Sequence, residues 1–416
     1  MQRRAREPLA AAGTAPAVRG SWIMLLALTT GFALSQAYRT VAAMMATQLQ
    51  QEFGLSAQQL GAFAAMFHFS FGALQLLMGL GIDLHGVRRT VLAAFPLTIA
   101  GSLLSAFAPV YGAAVFGQAL IGIGCAPAFL VCTVFIARRF PAAQFAAVSG
   151  LVLGMGGVGL LVTGTPLAWV VQAGSWRTGF LVLAAGSALA WLVIFALVHE
   201  PTPPRSRHDG AVAAALREAA ALLAMPHTFG IVALAAVTYA SFIALRGLWL
   251  GPLLIERFGF TLLQSGNVAL AVSVSSLLGP PLFGRFDALP RQRRRRIVGF
   301  SLVLAGLFAL LAVLASAAAA VAVTVVIGFL TGFIVWQYAD VRTAYAEALT
   351  GRAMAVFTMA MFLGVALVQW FTGVVAGAAR TAQGDAYTAV LLAIAALVAL
   401  GALAFRVLPQ PAAVRR

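Results

Sequence analysis

The sequence predicts an all-α membrane protein: twelve transmembrane helices arranged as two pseudo-symmetric six-helix bundles. Three observations predict it. The composition is 62% hydrophobic and only 9% charged, and the mean hydropathy is +0.97, which no soluble domain of this length can hide from water. Apolar runs long enough for a hydrocarbon core of about 30 Å recur along the whole chain. Segments of the first half reappear in the second at a constant offset of 205 residues.

Cut at charges and at Pro/Gly clusters, the apolar runs number twelve, at 21–47, 57–79, 90–109, 112–136, 145–171, 178–198, 229–255, 264–284, 297–316, 319–341, 353–377 and 386–408. They are called spans 1 to 12. The expected organisation is a tail (1–20), a first bundle (21–198), a linker (199–228), a second bundle (229–408) and a short tail (409–416). Span 1 is too long for a signal-peptide core, so an uncleaved first helix is expected. The linker opens on HEPTPPRSRHDG, which is too polar to span lipid. It continues as AVAAALREAAALLAM, read as an amphipathic helix on the membrane surface.

The formal charge of +16 is topological. All 27 basic residues are Arg, and 22 of them fall in the two tails and in the loops after even-numbered spans, with Arg406 at the inner end of span 12 counted with the C-terminal tail. By the positive-inside rule those loops and both termini are cytoplasmic, in an inner (plasma) membrane protein. Nucleic acid is not needed to explain the charge. Cys125 and Cys132 stand seven apart on one helical run, about 10 Å along the axis. That is too far for a disulfide, and buried thiols are expected.

The repeat is carried by two independent segments. Gly54, Ser56, Gln59 and Gly61 match Gly259, Thr261, Gln264 and Gly266, with Ser56 placed to cap the second span. The loop GLGIDLHGVRR, from Gly79 to Arg89, is echoed as GRFDALPRQRRRR, Gly284 matching Gly79, and Arg293 and Arg294 matching Arg88 and Arg89. Ala288 stands where the first copy has Asp83, with Asp287 beside it.

Twelve spans in two halves, a long central linker and a loop of the form G-x-x-x-D-x-x-G-x-R-R resemble the major facilitator superfamily over essentially the whole chain. The resemblance implies a central cavity between the bundles, lined by spans 1 and 7, and a small-molecule cargo carried by a monomer with no cofactor. It also implies that Gly79, Asp83, Gly86 and Arg88 form a latch between the halves that holds the outward-facing state. The glycines permit a tight turn and close helix approach, and Asp83 can meet an Arg or a helix N-terminus.

Charges inside the membrane point to function by default. Arg39 in span 1 and Arg246 in span 7 occupy corresponding helices at nearly equal depth. Facing each other across the pseudo-twofold axis, they would clamp an anion, with Tyr38 and Trp249 shaping the cavity. The arrangement is similar to the organophosphate:phosphate antiporter branch, although the spacings from Arg39 to Gly54 and from Arg246 to Gly259 differ by two residues. Snorkelling of Arg39 to the interface is the competing placement, and the matched depths favour the cavity.

Of the 11 acidic residues only Asp340, near the inner end of span 10, falls within a span. It is expected to form an end-of-helix ion pair with Arg342. Span 4 has Gln118 where the family motif of proton-coupled members begins with Arg, and span 5 lacks the Gly-Pro pair of drug antiporters. His68 in span 2 is the candidate for proton coupling. The primary expectation is therefore a transporter of a small organic or inorganic anion, coupled to a proton or to an exchanged anion. The alternatives are a broad exporter of amphipathic compounds and a copper-type metal transporter using Met44, Met45, Met66, His68, Met359 and Met361. No nucleophile constellation or nucleotide loop appears, so no enzyme is expected.

Overall fold

The computed structural model describes residues 15–141, 144–199, 211–286 and 289–411, and among these every regular element is a helix. Most of the N-terminal tail, linker residues 200–210, the pair Asp287 and Ala288, and the tail beyond 411 lie outside the described residues. Eleven helical segments are long and apolar enough to cross a membrane. The twelfth crossing is concealed at Gly86, whose φ of 83° and ψ of 168° divide the segment Gln75–Ala106 into two pieces. The piece before Gly86 completes Ala57–Ala73, which at 17 residues covers only about 26 Å. Together they make span 2, and the piece after Gly86 is span 3.

The repeat is visible in detail. Gly54 and Gly259 both take the left-handed conformation, with φ of 62° and 71°. Each is followed by a full capping box. Ser56 accepts from the Gln59 amide while the Gln59 side chain accepts from the Ser56 amide, and Thr261 and Gln264 do the same. Beyond the caps the two copies share an ion pair with the polarity reversed. Glu52 at the end of the first long helix pairs with Arg177 at 2.5 Å, and Arg257, at Glu52's offset position, pairs with Asp385 at 3.5 Å.

The arginine-bearing spans are irregular. Span 1 consists of Ala15–Tyr38 and Val41–Phe53, broken at Arg39 and Thr40. Span 7 widens into π-helical turns at Leu245–Trp249 and Leu253–Arg257. Pro252, between them, has no N–H to give to the carbonyl one turn back. Span 5 is interrupted twice, giving Phe145–Gly156, Val158–Val162 and Thr165–Ala173.

The two halves meet backbone to backbone at the end remote from the arginine-rich loops. A Cβ on Gly61 of span 2 would lie 2.6 Å from the Gln369 carbonyl of span 11, and one on Gly247 of span 7 would lie 2.8 Å from the Arg39 carbonyl of span 1. Gly251 abuts the Ala43 carbonyl in the same way, and Gly164 of span 5 lies against Leu270 of span 8. Small residues let helices approach this closely in a medium where apolar side chains gain little from each other. At the arginine-rich end the linker helix Ala211–Leu223 packs on Gln75–Ala106 and on Glu347–Thr381, one element from each half. Its Glu218 pairs with Arg352 at 2.9 Å.

Gly86→Ala is expected to lower stability by about 1–3 kcal/mol, because its backbone conformation is essentially restricted to glycine. Gly351→Ala, at a helical glycine with open space around its Cβ position, is expected to be neutral or stabilising. Thermal melts in detergent compare the two. Burial pushes the Glu52 carboxyl up, but hydrogen bonds from Trp176 and Arg177 and the Arg177 charge outweigh it and hold the group below its usual range. Its contribution to stability is therefore complete above the ordinary carboxylate pKa of about 4.3. The Tm gap between the native protein and Glu52→Gln should narrow as pH falls below that value, and a gap independent of pH would contradict the assignment.

Candidate functional site

Arg39 emerges at the break in span 1 and is only 7% exposed. Its guanidinium lies against two rings that also pack on each other, with Cζ 5.0 Å from the centroid of Phe71 on span 2 and 4.7 Å from that of Phe362 on span 11, the two centroids being 4.4 Å apart. The cation is thus flanked on one side by an aromatic pair, one ring from each half. One edge is engaged, Nη1 donating to the Tyr239 hydroxyl of span 7 at 3.2 Å. The buried Nε has no hydrogen-bond partner.

Arg246 is fully buried. Its Nε donates to the Ala269 carbonyl and to Ser273 Oγ, both at 3.1 Å, on span 8 of its own half. Its Nη2 crosses to the other half and donates to the Leu160 carbonyl at 3.1 Å and to Thr163 Oγ1 at 3.5 Å, where span 5 is interrupted. The break in span 5 frees carbonyls that an unbroken helix would have used, and the guanidinium supplies donors for them. Thr163 also meets Thr40 of span 1 at 2.6 Å. Nη1 of Arg246 is buried without a partner.

Neither arginine takes part in an ion pair among the described residues. A buried charge lacking a counter-ion is costly, so both sites carry uncompensated positive charge. Neither arginine snorkels, but they do not face each other as a clamp. The pseudo-twofold axis sends Arg39 into the seam between spans 2 and 11 and Arg246 into the equivalent seam between spans 8 and 5. The seams differ at several side chains, one of them His68. Ala269 and Ser273 occupy the offset positions of Ala64 and His68. Where Ser273 leaves room for a guanidinium, the His68 ring fills the space, with Nδ1 3.3 Å from the Ala64 carbonyl.

Tyr38 and Trp249 were expected to flank the pair, and the structure places both elsewhere. Tyr38 lies in the core of the first half, its hydroxyl 3.0 Å from Ser102 and 3.2 Å from Ser187. Trp249 donates from Nε1 to Thr372 at 2.9 Å and packs edge-on against Tyr387. Tyr38 faces away because adjacent residues on a helix point about 100° apart, and Trp249, three residues after Arg246, is turned away by the widened π-helical turn Leu245–Trp249. The residues that do surround Arg39, namely Phe71, Tyr239 and Phe362, escaped the sequence reading. Only Tyr239 left a trace, standing two helical turns before Arg246 on the same face of span 7.

His68 is buried, and its ring stacks on Phe362 at a centroid distance of 6.5 Å. Its Nε2 has no hydrogen-bond partner. It therefore shares with Arg39 a ring contributed by the opposite half. Of the methionines, Met45 is buried against Gly179, and Met361 accepts from the Tyr338 hydroxyl at 3.5 Å.

In the glycine loop, Asp83 stands 3.9 Å from Arg138 of span 4. Arg88 donates to the Val198 and Phe195 carbonyls at 2.5 and 3.0 Å, capping the end of span 6. Gly79 borders Leu130, and Gly86 makes the turn. These contacts lie within the first half. Asp340 is paired, but not with Arg342. Arg294 grips it with two hydrogen bonds of 2.9 and 2.8 Å. Residues two apart on a helix do not face each other, which keeps Arg342 out of reach.

A two-halved bundle of twelve spans, with broken helices and charged groups at the seam, is the architecture of a secondary transporter. Residues 26–369 match the Major Facilitator Superfamily, and the chain belongs to that family. The fold is similar to that of a bacterial homolog of the human lysosomal transporter Spinster in an inward-facing, occupied conformation, with a TM-score of 0.71 at 17% identity, covering 92% of this chain and 95% of the other. It is similar also to a D-xylose-proton symporter, with a TM-score of 0.73 at 18% identity over 94% and 99% of the two chains. In sequence it is 26% identical over 170 residues to a Cupriavidus necator protein named "Probable sulfoacetate transporter SauU", covering 41% of this chain and 39% of that one. It is 28% identical over 160 residues to a D-galactonate transporter of Escherichia coli, covering 38% and 37%. The matches thus span less than half the length of these curated relatives.

Thr165 donates to Asn267 across the halves at 2.7 Å, close to the contacts of Arg246. Cysteines at these two positions should be joined readily by a short bifunctional thiol reagent. Adding Arg246→Gln should lower the cross-linking yield several-fold, and an unchanged yield would remove Arg246 from the closure of this end.

Proposed function

We propose that this transporter carries a small organic anion by alternating access, with Arg39 holding the anion's charge and Arg246 fastening the end of the pathway remote from the arginine-rich loops. The observation that carries this reading is the Arg39 guanidinium: buried, without a carboxylate partner, flanked on one side by the Phe71–Phe362 pair and with its Nε unengaged. An anion would meet such a group along its edge, where the parallel N–H bonds suit a carboxylate or sulfonate. The names of the two sequence relatives, which refer to sulfoacetate and galactonate, support an anionic cargo.

In this reading the arginine-rich end is cytoplasmic, the membrane is the inner (plasma) membrane, and the chain works as a monomer open toward the cytoplasm. Gly79, Asp83, Gly86 and Arg88 then form the latch of the opposite conformation. His68 is the coupling candidate. A proton on its imidazole would place a second positive charge beside the ring that covers Arg39. A bound anion would stabilise that charge, so proton and anion would travel together.

The test is uptake of labelled sulfonates and carboxylates into proteoliposomes. A charged hydrogen bond contributes roughly 1.5–3 kcal/mol, so Arg39→Gln should cut uptake by about tenfold or more. Arg39→Lys should recover it only in part, because the planar fork is lost. His68→Ala should flatten the pH profile of uptake. Full anion uptake by Arg39→Gln would overturn the reading, and export of a lipophilic cation independent of Arg39 would favour the exporter of amphipathic compounds.

A further inference from the structure

Outside the seam, a groove of about 450 Å³ lies between the second part of span 2 and span 3. Leu77 and Met78 line one wall, Ala93 and Leu97 the other, and Ile123 of span 4 closes the deep end. The small residues Gly81 and Ala93 make the space. At the mouth stand His85 and Arg89, both exposed, and no hydrogen bond or ion pair to either side chain is found among the described residues.

The groove faces lipid, as the rotation of span 4 indicates. Gln118, Ile121 and Cys125 turn into the first half and are buried, whereas Ile123 is two turns along from Phe116, which is 59% exposed. Along span 3, Arg89 and Leu97 are eight residues apart, so the apolar trough extends about 12 Å toward the bilayer centre. Its cationic mouth lies at the arginine-rich end, where span 3 starts and polar lipid headgroups sit.

We propose that this groove is a binding site for one anionic phospholipid, with an acyl chain along Leu77, Met78, Leu97 and Ile123 and the phosphate between Arg89 and His85. The match is one of shape and charge together: an open apolar trough parallel to the membrane normal, ending at headgroup depth in the unpaired Arg89 guanidinium with the His85 ring beside it. A free phosphate would use only the mouth, and an uncharged lipid only the trough. Because the groove is built by spans 2 and 3 on either side of the Gly86 turn, the bound lipid bears on the loop that carries Asp83 and Arg88.

Native mass spectrometry of the detergent-solubilised protein decides the matter, using dioleoylphosphatidylglycerol, dioleoylphosphatidylcholine and inorganic phosphate as separate probes. One phosphatidylglycerol should be retained per chain, at least fivefold over phosphatidylcholine. Arg89→Gln should abolish that preference. Ala93→Phe and, separately, Leu97→Trp should remove the retained lipid by filling the trough, with thermal melts verifying that each variant is folded. Arg139→Gln, an exposed arginine of the same end outside the groove, should leave retention unchanged. Equal retention of the two lipids, an equal loss in Arg139→Gln, persistence of the adduct in both trough-filling variants, or binding of phosphate without lipid would each overturn the proposal.

Discussion

Two guanidinium groups held inside a lipid-embedded bundle without carboxylate partners set the terms for the structure around them. A charge in such a place has to be met by oriented dipoles, by ring faces or by an exchangeable anion. The protein uses a different solution in each half. Arg246 is met by carbonyls and hydroxyls from spans 5 and 8, so satisfying it ties the halves together. Arg39 is met mainly by aromatic faces, which stabilise a cation without using up all of its N–H donors. The breaks in spans 1 and 5 and the widened turns of span 7 fit this demand, since each releases backbone groups or changes the facing of a side chain at the seam.

Most of the fold was legible in the sequence, for physical reasons. Lipid requires long apolar runs and self-satisfied backbone, so the spans are visible as composition. Duplication is visible because capping depends on particular side chains: Ser56 with Gln59 and Thr261 with Gln264 could be matched by eye, and both pairs form the reciprocal bonds that the matching implies. The twelfth span was legible too, because the charges of the Gly79–Arg89 loop separate spans 2 and 3 in the sequence, whereas the helical segment Gln75–Ala106 is divided only at Gly86.

The seam was legible only in part. That Arg39 and Arg246 are buried followed from their depth, but their directions did not. Helical rotation is sensitive to a single break or an added residue per turn, and spans 1 and 7 contain both. The same limit explains Tyr38 and Trp249, adjacent to or near the arginines in sequence and pointed into the cores of their own halves. Phe71 and Phe362 could not have been singled out among 29 phenylalanines, because their role depends on two distant helices meeting. Asp340 taught the opposite lesson. Its nearest basic neighbour in sequence was the wrong one, and its partner came from the second copy of the glycine loop.

The crossing of spans 2 and 11 has a further consequence for how the protein can change over time. Gly61 looks onto Gly373, a Cβ on Gly61 would lie 3.1 Å from the Gly373 Cα, and one on Gly373 would lie 2.8 Å from the Ala57 carbonyl. Elsewhere in a core, an enlarged residue can be accommodated by trimming its neighbour. Here the neighbour is already the smallest residue there is, and the other obstacles are main chain. A second-site suppressor of a side chain at Gly61 must therefore displace a whole helix, which makes this crossing one of the least negotiable places in the chain.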